Sequence, residues 1–232
     1  MPTWFITGAS RGIGLELTRQ LLQLPDNTVF ATCRDPARAT DLRALAESYQ
    51  GAIHIIQLDV AEEESIAKGA GEVIQLLDGR GLDYLFNNAA INHRDSAFAF
   101  SSNDLRDTFT SNVIGPALVS QYLLQAIERS ERKVIVNMTS TLSSFAKDCG
   151  AKSASYSISK TAVNMLTYKQ AKERPDLIPI VLDPGWVKTE MGGQGALIEA
   201  EKSVRGILKV VTGLTTQSAG KFLNYQGKEI PW

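Results

Sequence analysis

Tyr156 and Lys160 stand four positions apart in the run Tyr156-Ser157-Ile158-Ser159-Lys160, which reads as the start of a helix running toward Lys172. Residues at that spacing share a helix face, so a phenol and an ammonium would project together. A phenol titrates at about 10 and is a poor acid or base at neutral pH, but a neighbouring ammonium stabilises the phenolate and draws that value down. Such a pair suits general acid–base work on a substrate oxygen. Spacing alone does not single it out, because Y-x-x-x-K is common on helix surfaces. Its company does. The strand-like run Val134 to Met138 ends in Thr139 and Ser140, and Leu82 to Phe86 ends in Asn87, Asn88, Ala89 and Ala90. Ile178 to Leu182 runs into Asp183, Pro184, Gly185, Trp186, Val187, Lys188 and Thr189. Each places polar groups just past a strand, and ligands of open α/β sheets bind at the carboxyl ends of the strands.

A second group of residues suits phosphate. Strand Trp4 to Thr7 leads into Gly8-Ala9-Ser10-Arg11-Gly12-Ile13-Gly14, followed by a helical pattern from Leu15 to Leu24. Glycines let the backbone turn sharply and approach a pyrophosphate, which the free N–H groups and dipole of the helix start would favour. The spacing is G-x-x-x-G-x-G rather than G-x-G-x-x-G. In a dinucleotide fold an acid at the end of the second strand holds the ribose hydroxyls of NAD. Here Thr28 to Thr32 ends in Cys33 and Arg34. Arg34, with Arg11 in the glycine turn, would pair with a 2′-phosphate, so NADP(H) is the expected cofactor; Asp35 next door would oppose it.

The elements that must position these residues alternate. Runs at 4–7, 28–32, 53–58, 82–86, 134–138 and 178–182 are short, apolar and β-branched, and helical stretches separate them. Continuously apolar strands imply a sheet covered on both faces, hence an α/β, Rossmann-type doubly wound parallel sheet flanked by helices. Asp35 and Pro36 precede a helix ending near Tyr49 and Gly51, and Ser102 opens a long one that contains Asn112, where an amide is commonly a surface residue. From Gly192 to Thr216 three glycines precede an apolar helix-like run, Ala196 to Val211, that would cover a ligand.

With 232 residues and 44% hydrophobic content, one domain over 1–232 is expected, with a cofactor half over about 1–130 and a catalytic half over about 131–232. A net charge of −1 without a basic stripe argues against nucleic acid. No apolar run suits a bilayer span and the first strand begins almost at Met1, so a cytoplasmic protein without a leader is expected. Cys33, Cys149, His54 and His93 make neither a disulfide framework nor a metal-ligand spacing. His54 reads as structural; His93 and Cys149 stand near the expected cleft, Cys149 reading first as an inert loop thiol; Trp186 and Met191 could pack on nicotinamide or substrate but read first as core.

In these motifs and their order the chain resembles the short-chain dehydrogenase/reductase family, over essentially its full length. The runs Pro184 to Gly193 and Gly220 to Tyr225 resemble its sniffer-like and C-factor-like carbonyl reductases. The resemblance implies that Gly8, Ser10, Arg11, Gly12, Ile13 and Gly14 form the cofactor loop, and that Asp59, with Val60, lies at the adenine. Asn88, Ala89 and Ala90 would flank the cofactor, and Pro184, Gly185, Val187 and Thr189 would line the nicotinamide. It implies a catalytic tetrad of Asn112, Ser140, Tyr156 and Lys160. Tyr156 would protonate a carbonyl as hydride leaves the nicotinamide, Ser140 would polarise it, Lys160 would tune Tyr156 and hold the ribose, and Asn112 would position Lys160 through a water. Ala90 replaces the usual glycine, and sixteen positions separate Ser140 from Tyr156, so Thr141 to Ser155 must bulge and Ser143 or Ser144 competes with Ser140 as hydroxyl donor. The expected activity is NADP(H)-dependent interconversion of a small-molecule carbonyl and alcohol. A non-redox dehydratase or isomerase and an NADPH-sensing protein are the alternatives. Homodimers or homotetramers built on the helix around Asn103 to Arg129 and the one at Tyr156 are the expected assemblies.

Overall fold

The computed structural model describes residues 1–24, 26–49 and 52–232. Seven strands form one parallel sheet: β1 (Thr3–Ile6), β2 (Thr28–Cys33), β3 (Ile53–Gln57), β4 (Tyr84–Asn87), β5 (Val134–Met138), β6 (Ile178–Asp183) and β7 (Phe222–Asn224), in the order β3-β2-β1-β4-β5-β6-β7. The order reverses after β1, where the chain crosses from β3 back to β4 on the other side. That is the switch point at which doubly wound sheets open a crevice.

The sheet is covered on both faces, as its apolar strands require. Along β1 Trp4 and Ile6 face one layer and Phe5 the other. The first layer takes Leu17 and Leu21 of α1 (Gly12–Leu22), Leu42 of α2 (Thr40–Ser48), and Val204, Ile207 and Val211 of α7 (Ala200–Thr212). The second takes Ile66 and Val73 of α3 (Glu63–Leu77) and Leu123 and Ile127 of the long helix between β4 and β5. This helix has three parts: α4 (Ser102–Phe109), a single π turn (Thr110–Ile114) and α5 (Gly115–Glu128). The helix α6 (Ala154–Glu173) packs beside them on β6. No described helix is long and apolar enough to cross a membrane.

Several boundaries differ from the sequence expectation. β7 has three residues, too few to show a period, and only motif resemblance pointed to its neighbourhood. Asp35 does not open α2. Its carboxylate accepts from the N–H groups of Ala37 (3.0 Å) and Arg38 (3.3 Å) and caps a separate 3-10 turn, Pro36–Arg38. The proposed stop at Gly51 lies outside the described residues. The run after Gly192 becomes helical only at Ala200, because Ile198 bridges to Val187 in extended form.

A buried polar ladder fixes α5 and α6 to the sheet centre. Asn87 of β4 faces Asn137 of β5. Asn87 Nδ2 donates to Asn137 Oδ1 (2.8 Å) and to Ser120 Oγ (3.0 Å), and Asn137 Nδ2 donates to Thr167 Oγ1 (2.8 Å). A fully buried amide left without partners costs about 1–3 kcal/mol per group. Asn137→Ala should therefore lower unfolding free energy by roughly 2–4 kcal/mol, from the orphaned partners and the cavity together. Urea denaturation checks this; a loss below about 0.5 kcal/mol would show the ladder to be idle.

Candidate active site

All the strands point their carboxyl ends to one edge, and the chemistry-bearing residues collect there. Ser140 follows β5 and Asp183 ends β6. Tyr156 lies in the first turn of α6, which crosses that edge. A cavity of about 1110 Å³ opens between them, with Ile13 of the glycine turn, Ser140, Tyr156, Asp183, Trp186 and Met191 among its walls.

The Ser140 turn is held from three sides. Ser140 caps the 3-10 turn Thr141–Ser143, its Oγ accepting from Leu142 N at 3.2 Å. Thr139 Oγ1 donates to Asn164 Oδ1 of α6 (2.7 Å), whose Nδ2 donates to Ser143 Oγ (2.9 Å), while Ser143 Oγ donates to Ser140 O (2.6 Å). Thr141 Oγ1 donates to Asp183 Oδ2 at 2.6 Å. Ser144 Oγ donates to Pro231 O (2.6 Å) and Ala146 N to Trp232 O (3.2 Å), so the last residues strap the loop that links Ser140 to Tyr156. The hydroxyls of Ser143 and Ser144 are thus engaged inside the protein. Ser140 is the serine of this turn that lines the cavity.

Asp95, which the sequence reading passed over, sets the start of α6. Its backbone carbonyl accepts from Ser153 N and its Oδ1 from Ser155 N, both at 3.1 Å. Ser153 has a positive φ of 55°, which turns the chain into the helix. Lys160, one turn beyond Tyr156, is 2% exposed, lies 5.6 Å from the Tyr156 ring centroid and donates from Nζ to Met138 O at 2.8 Å. Asn112 sits in the π turn and is fully buried, not on the surface as its helical context implied. Its Nδ2 donates to Ile91 O (2.9 Å) and Ser159 Oγ (3.0 Å), and its Oδ1 accepts from Ile91 N (2.8 Å), tying the exit of β4 to α6. Neither Lys160 nor Asn112 forms part of the cavity wall.

The electrostatics depart from the sequence expectation. The Tyr156 phenol lies above its ordinary range, not below it, because burial penalises the phenolate and Asp183 repels it. Burial also pushes the Lys160 ammonium down, to about 8. At both groups burial is the leading cause of the shift.

The glycine turn fits a pyrophosphate. Gly8 and Gly12 have positive φ (68° and 58°), and a Cβ on Gly14 would stand 2.3 Å from Gly8 O. The first turn of α1 carries no side-chain cap and no acidic residue, so its N–H groups remain free for an anion. Asn88 and Ala89 brace this turn from β4: Asn88 Nδ2 donates to Thr7 O (2.8 Å), and both backbone N–H groups donate to Thr7 Oγ1 (2.9 Å). Ala90 follows them, half-buried. Asp59 Oδ1 accepts from Ala61 N at 3.0 Å, closing the turn before α3, and Val60 O lies so close to Gly115 that a Cβ there would stand 2.6 Å away. Ser10 is half-buried; Arg11 and Arg34 are exposed. Arg11 reaches across to Glu190 Oε2 (2.7 Å), linking the glycine turn to the segment after β6. In that segment Gly185 has φ 77°, Pro184 O accepts from Ser203 Oγ (2.7 Å), and Val187 is buried beside half-buried Thr189.

Trp186 and Met191 are not core residues; both are exposed and line the cavity. Trp186 Nε1 donates to Gly192 O (2.8 Å), and Lys152 Nζ lies 4.9 Å from its ring. Cys149 also lines the cavity, its Sγ 3.6 Å from Thr141 O. His93 stands off the cavity wall, 4.0 Å from Asp104, and His54 stacks on Phe30.

The glycine turn lies at the switch point and Ser140, Tyr156 and Lys160 gather along the same sheet edge, and known proteins share this architecture. The family model described as short chain dehydrogenase matches residues 2–196, and the chain belongs to that family. It is similar to the NADPH-bound carbonyl reductase from chicken fatty liver, with 35% identity, a TM-score of 0.95, and 100% and 99% of the two chains covered. It is also similar to carbonyl reductase Sniffer of D. melanogaster, with 31% identity, a TM-score of 0.95 and both chains fully covered. Among sequence relatives, the C-signal protein of Myxococcus xanthus is 35% identical over 154 residues, 65% of this chain and 93% of the relative.

A consequence for stability follows from Lys160. Below pH 8 the folded protein carries this buried charge at a cost; as pH rises from about 8 toward the ordinary 10.5 the folded state releases the proton first and the cost disappears. Lys160→Met should therefore stabilise the unliganded protein at pH 7 by on the order of 1–2 kcal/mol, after the loss of the Met138 bond, with the gap closing across that window. Urea midpoints at several pH values check this; a variant weaker than wild type at pH 7 would contradict it.

Proposed function

We propose that the protein is an NADP(H)-dependent carbonyl reductase acting on aldehydes or ketones, with Tyr156 as general acid. The observation that carries the reading is that Ser140, Tyr156 and Ile13 of the glycine turn face one cavity, with Lys160 one turn behind the phenol. NADPH supplies the hydride when bound. Gly8, Ser10, Gly12 and Gly14, with the free start of α1, hold the pyrophosphate. Asp59 and Val60 adjoin the adenine, and Asn88, Ala89 and Ala90 support the middle of the cofactor. Pro184, Gly185, Val187 and Thr189 shape the nicotinamide face.

Tyr156 donates its proton to the carbonyl oxygen while Ser140 Oγ–H hydrogen-bonds the same oxygen and stabilises the charge that develops there. Lys160 supplies positive charge behind the phenol once the site is closed from water, and Asn112 keeps α6 in register with the exit of β4 so that the pair stays aligned.

For the cofactor, Arg34 and Arg11 pair with the 2′-phosphate, and the Asp35 carboxylate is directed to the N–H groups of Ala37 and Arg38. Arg11 is held meanwhile by Glu190, with both side chains more than two-thirds exposed, and such a pair is worth at most about 1 kcal/mol, so the phosphate displaces it. The carbonyl reductases from chicken and D. melanogaster named above support the substrate class.

Two measurements test this. With a panel of aldehydes, ketones and diketones, wild type should consume NADPH, and Tyr156→Phe should lose roughly 10²–10⁴-fold in kcat; turnover that survives the change would remove Tyr156 from the chemistry. Arg34→Ala should weaken NADPH by roughly tenfold with NADH unaffected, whereas Glu190→Gln should tighten NADPH up to about fivefold by freeing Arg11. Equal effects on both cofactors would contradict recognition of the 2′-phosphate.

A further inference from the structure

The ionisable side chains that line the cavity are Arg94, Asp95, Cys149, Lys152, Tyr156 and Asp183. Both carboxylates are turned into the protein. Asp183 Oδ2 accepts from Thr141 Oγ1 at 2.6 Å and its Oδ1 from Gly185 N at 3.0 Å. Asp95 Oδ1 accepts from Ser155 N at 3.1 Å, and its Oδ2 is buried. The two cations are not taken up in this way. Arg94 and Lys152 are exposed, and among the described residues neither enters an ion pair. The chemistry proposed above gives neither of them a task.

Both cations reach the same wall. Arg94 belongs to the loop after β4, yet its Nη2 lies where a Cβ added to Gly193 would stand 3.1 Å from it. Lys152 belongs to the loop before α6, and its Nζ lies 4.9 Å from the centroid of the Trp186 ring. Trp186 Nε1 donates to Gly192 O at 2.8 Å, and a Cβ on Gly195 would stand 2.7 Å from Trp186 Cη2, so the indole and the turn 192–195 pack as one surface. Cations from two separate loops thus converge on one short segment, and Leu142, Trp186 and Met191 give the cavity apolar surface beside it.

We propose that Arg94 and Lys152 form an anion-binding subsite for the substrate, and that the preferred substrates are aldehydes or ketones that carry a carboxylate on an apolar stem. The proposal rests on the reductase reading and deepens it by naming the substrate class. The planar guanidinium of Arg94 offers two parallel N–H donors to the two oxygens of a carboxylate, and Lys152 adds a point charge beside it. An ammonium over an indole face is held by the ring while its outward N–H groups stay available to an anion. The stem lies along Trp186 and Met191, and the carbonyl meets Ser140 and Tyr156. A cationic substrate finds no equivalent partner, since the fold takes up both carboxylates of the cavity.

The test compares straight-chain oxo acids of increasing length, each against its own methyl ester, so that the charge is removed while the carbonyl and the stem are kept. With wild type and NADPH, the KM of the acid is expected to lie roughly tenfold or more below that of the ester at the best chain length, with the gap shrinking as salt is added. The double variant Arg94→Gln, Lys152→Gln is expected to make the two KM values nearly equal. Arg94→Glu with Lys152→Glu is expected to reverse their order, an outcome that misfolding does not produce. Acids and esters reduced with equal KM by wild type would overturn the proposal. So would an acid advantage that survives the Gln pair while the KM for NADPH rises, because the cations would then belong to the cofactor. A wild-type protein that reduces no carbonyl would remove the reductase reading instead. Calorimetry with octanoate against octanamide then decides the subsite by itself: preference for octanoate that the Gln pair loses supports it, and equal binding of the two overturns it.

Discussion

The bond from the Lys160 ammonium to the Met138 carbonyl ties the site to the sheet. It joins α6, whose first turn carries Tyr156, to the last residue of β5, at 2.8 Å and with Lys160 buried. A charge in that position is costly unless it is bonded, and burial lowers the proton affinity of the amine accordingly. The fold accepts that cost, and in return a cation stands behind the phenol at a fixed depth. The other contacts around it serve the same register. Asn112 holds α6 against the β4 exit, Asn164 holds it against the Ser140 turn, and the Asn87–Asn137–Thr167 ladder holds it against the sheet centre.

The parallel topology explains why these parts meet. Crossover helices return each strand in the same direction, so every strand delivers its exit loop to one edge. Along that edge the β1 exit offers free N–H groups for phosphate, the β4 exit braces that turn, the β5 exit presents Ser140 and the β6 exit presents Asp183. Under the proposed function the work is divided along the sheet, with phosphate recognition on one side of the switch point and proton transfer on the other. Arg11 and Glu190 join the two halves across the cleft by an exposed pair, of a kind worth at most about 1 kcal/mol.

Much of this was legible in the sequence, because the signals were periodic or chemical. Six of the seven strands stand out as short, mainly apolar runs, and the glycine turn, Ser140 and the Tyr156–Lys160 spacing stand out by residue type. β7 was not legible as a strand, since three residues carry no period. Nor was the π turn at Thr110–Ile114, which rotates Asn112 inward where a regular helical reading leaves an amide at the surface. Asp95 and Asn164 act through contacts at long sequence separation, to which local patterns are blind. For Trp186 and Met191 the sequence leaves core and ligand site both open, because apolar type alone does not distinguish core from the wall of an open cavity. The direction of the Tyr156 shift was missed for a related reason: spacing gives the nearness of Lys160, but burial and the carboxylate of Asp183 come from elements distant in the chain.

The claim on which the account turns is that a hydride passes to a carbonyl carbon at the Ser140–Tyr156 edge. The most direct measurement uses NADPH deuterated at both C4 positions, a ketone that the protein consumes, and mass analysis of the alcohol formed. The account predicts one deuterium on the carbinol carbon with wild type and almost none formed by Tyr156→Phe in the same time. Product free of deuterium, or labelled product formed equally well by the variant, would contradict it.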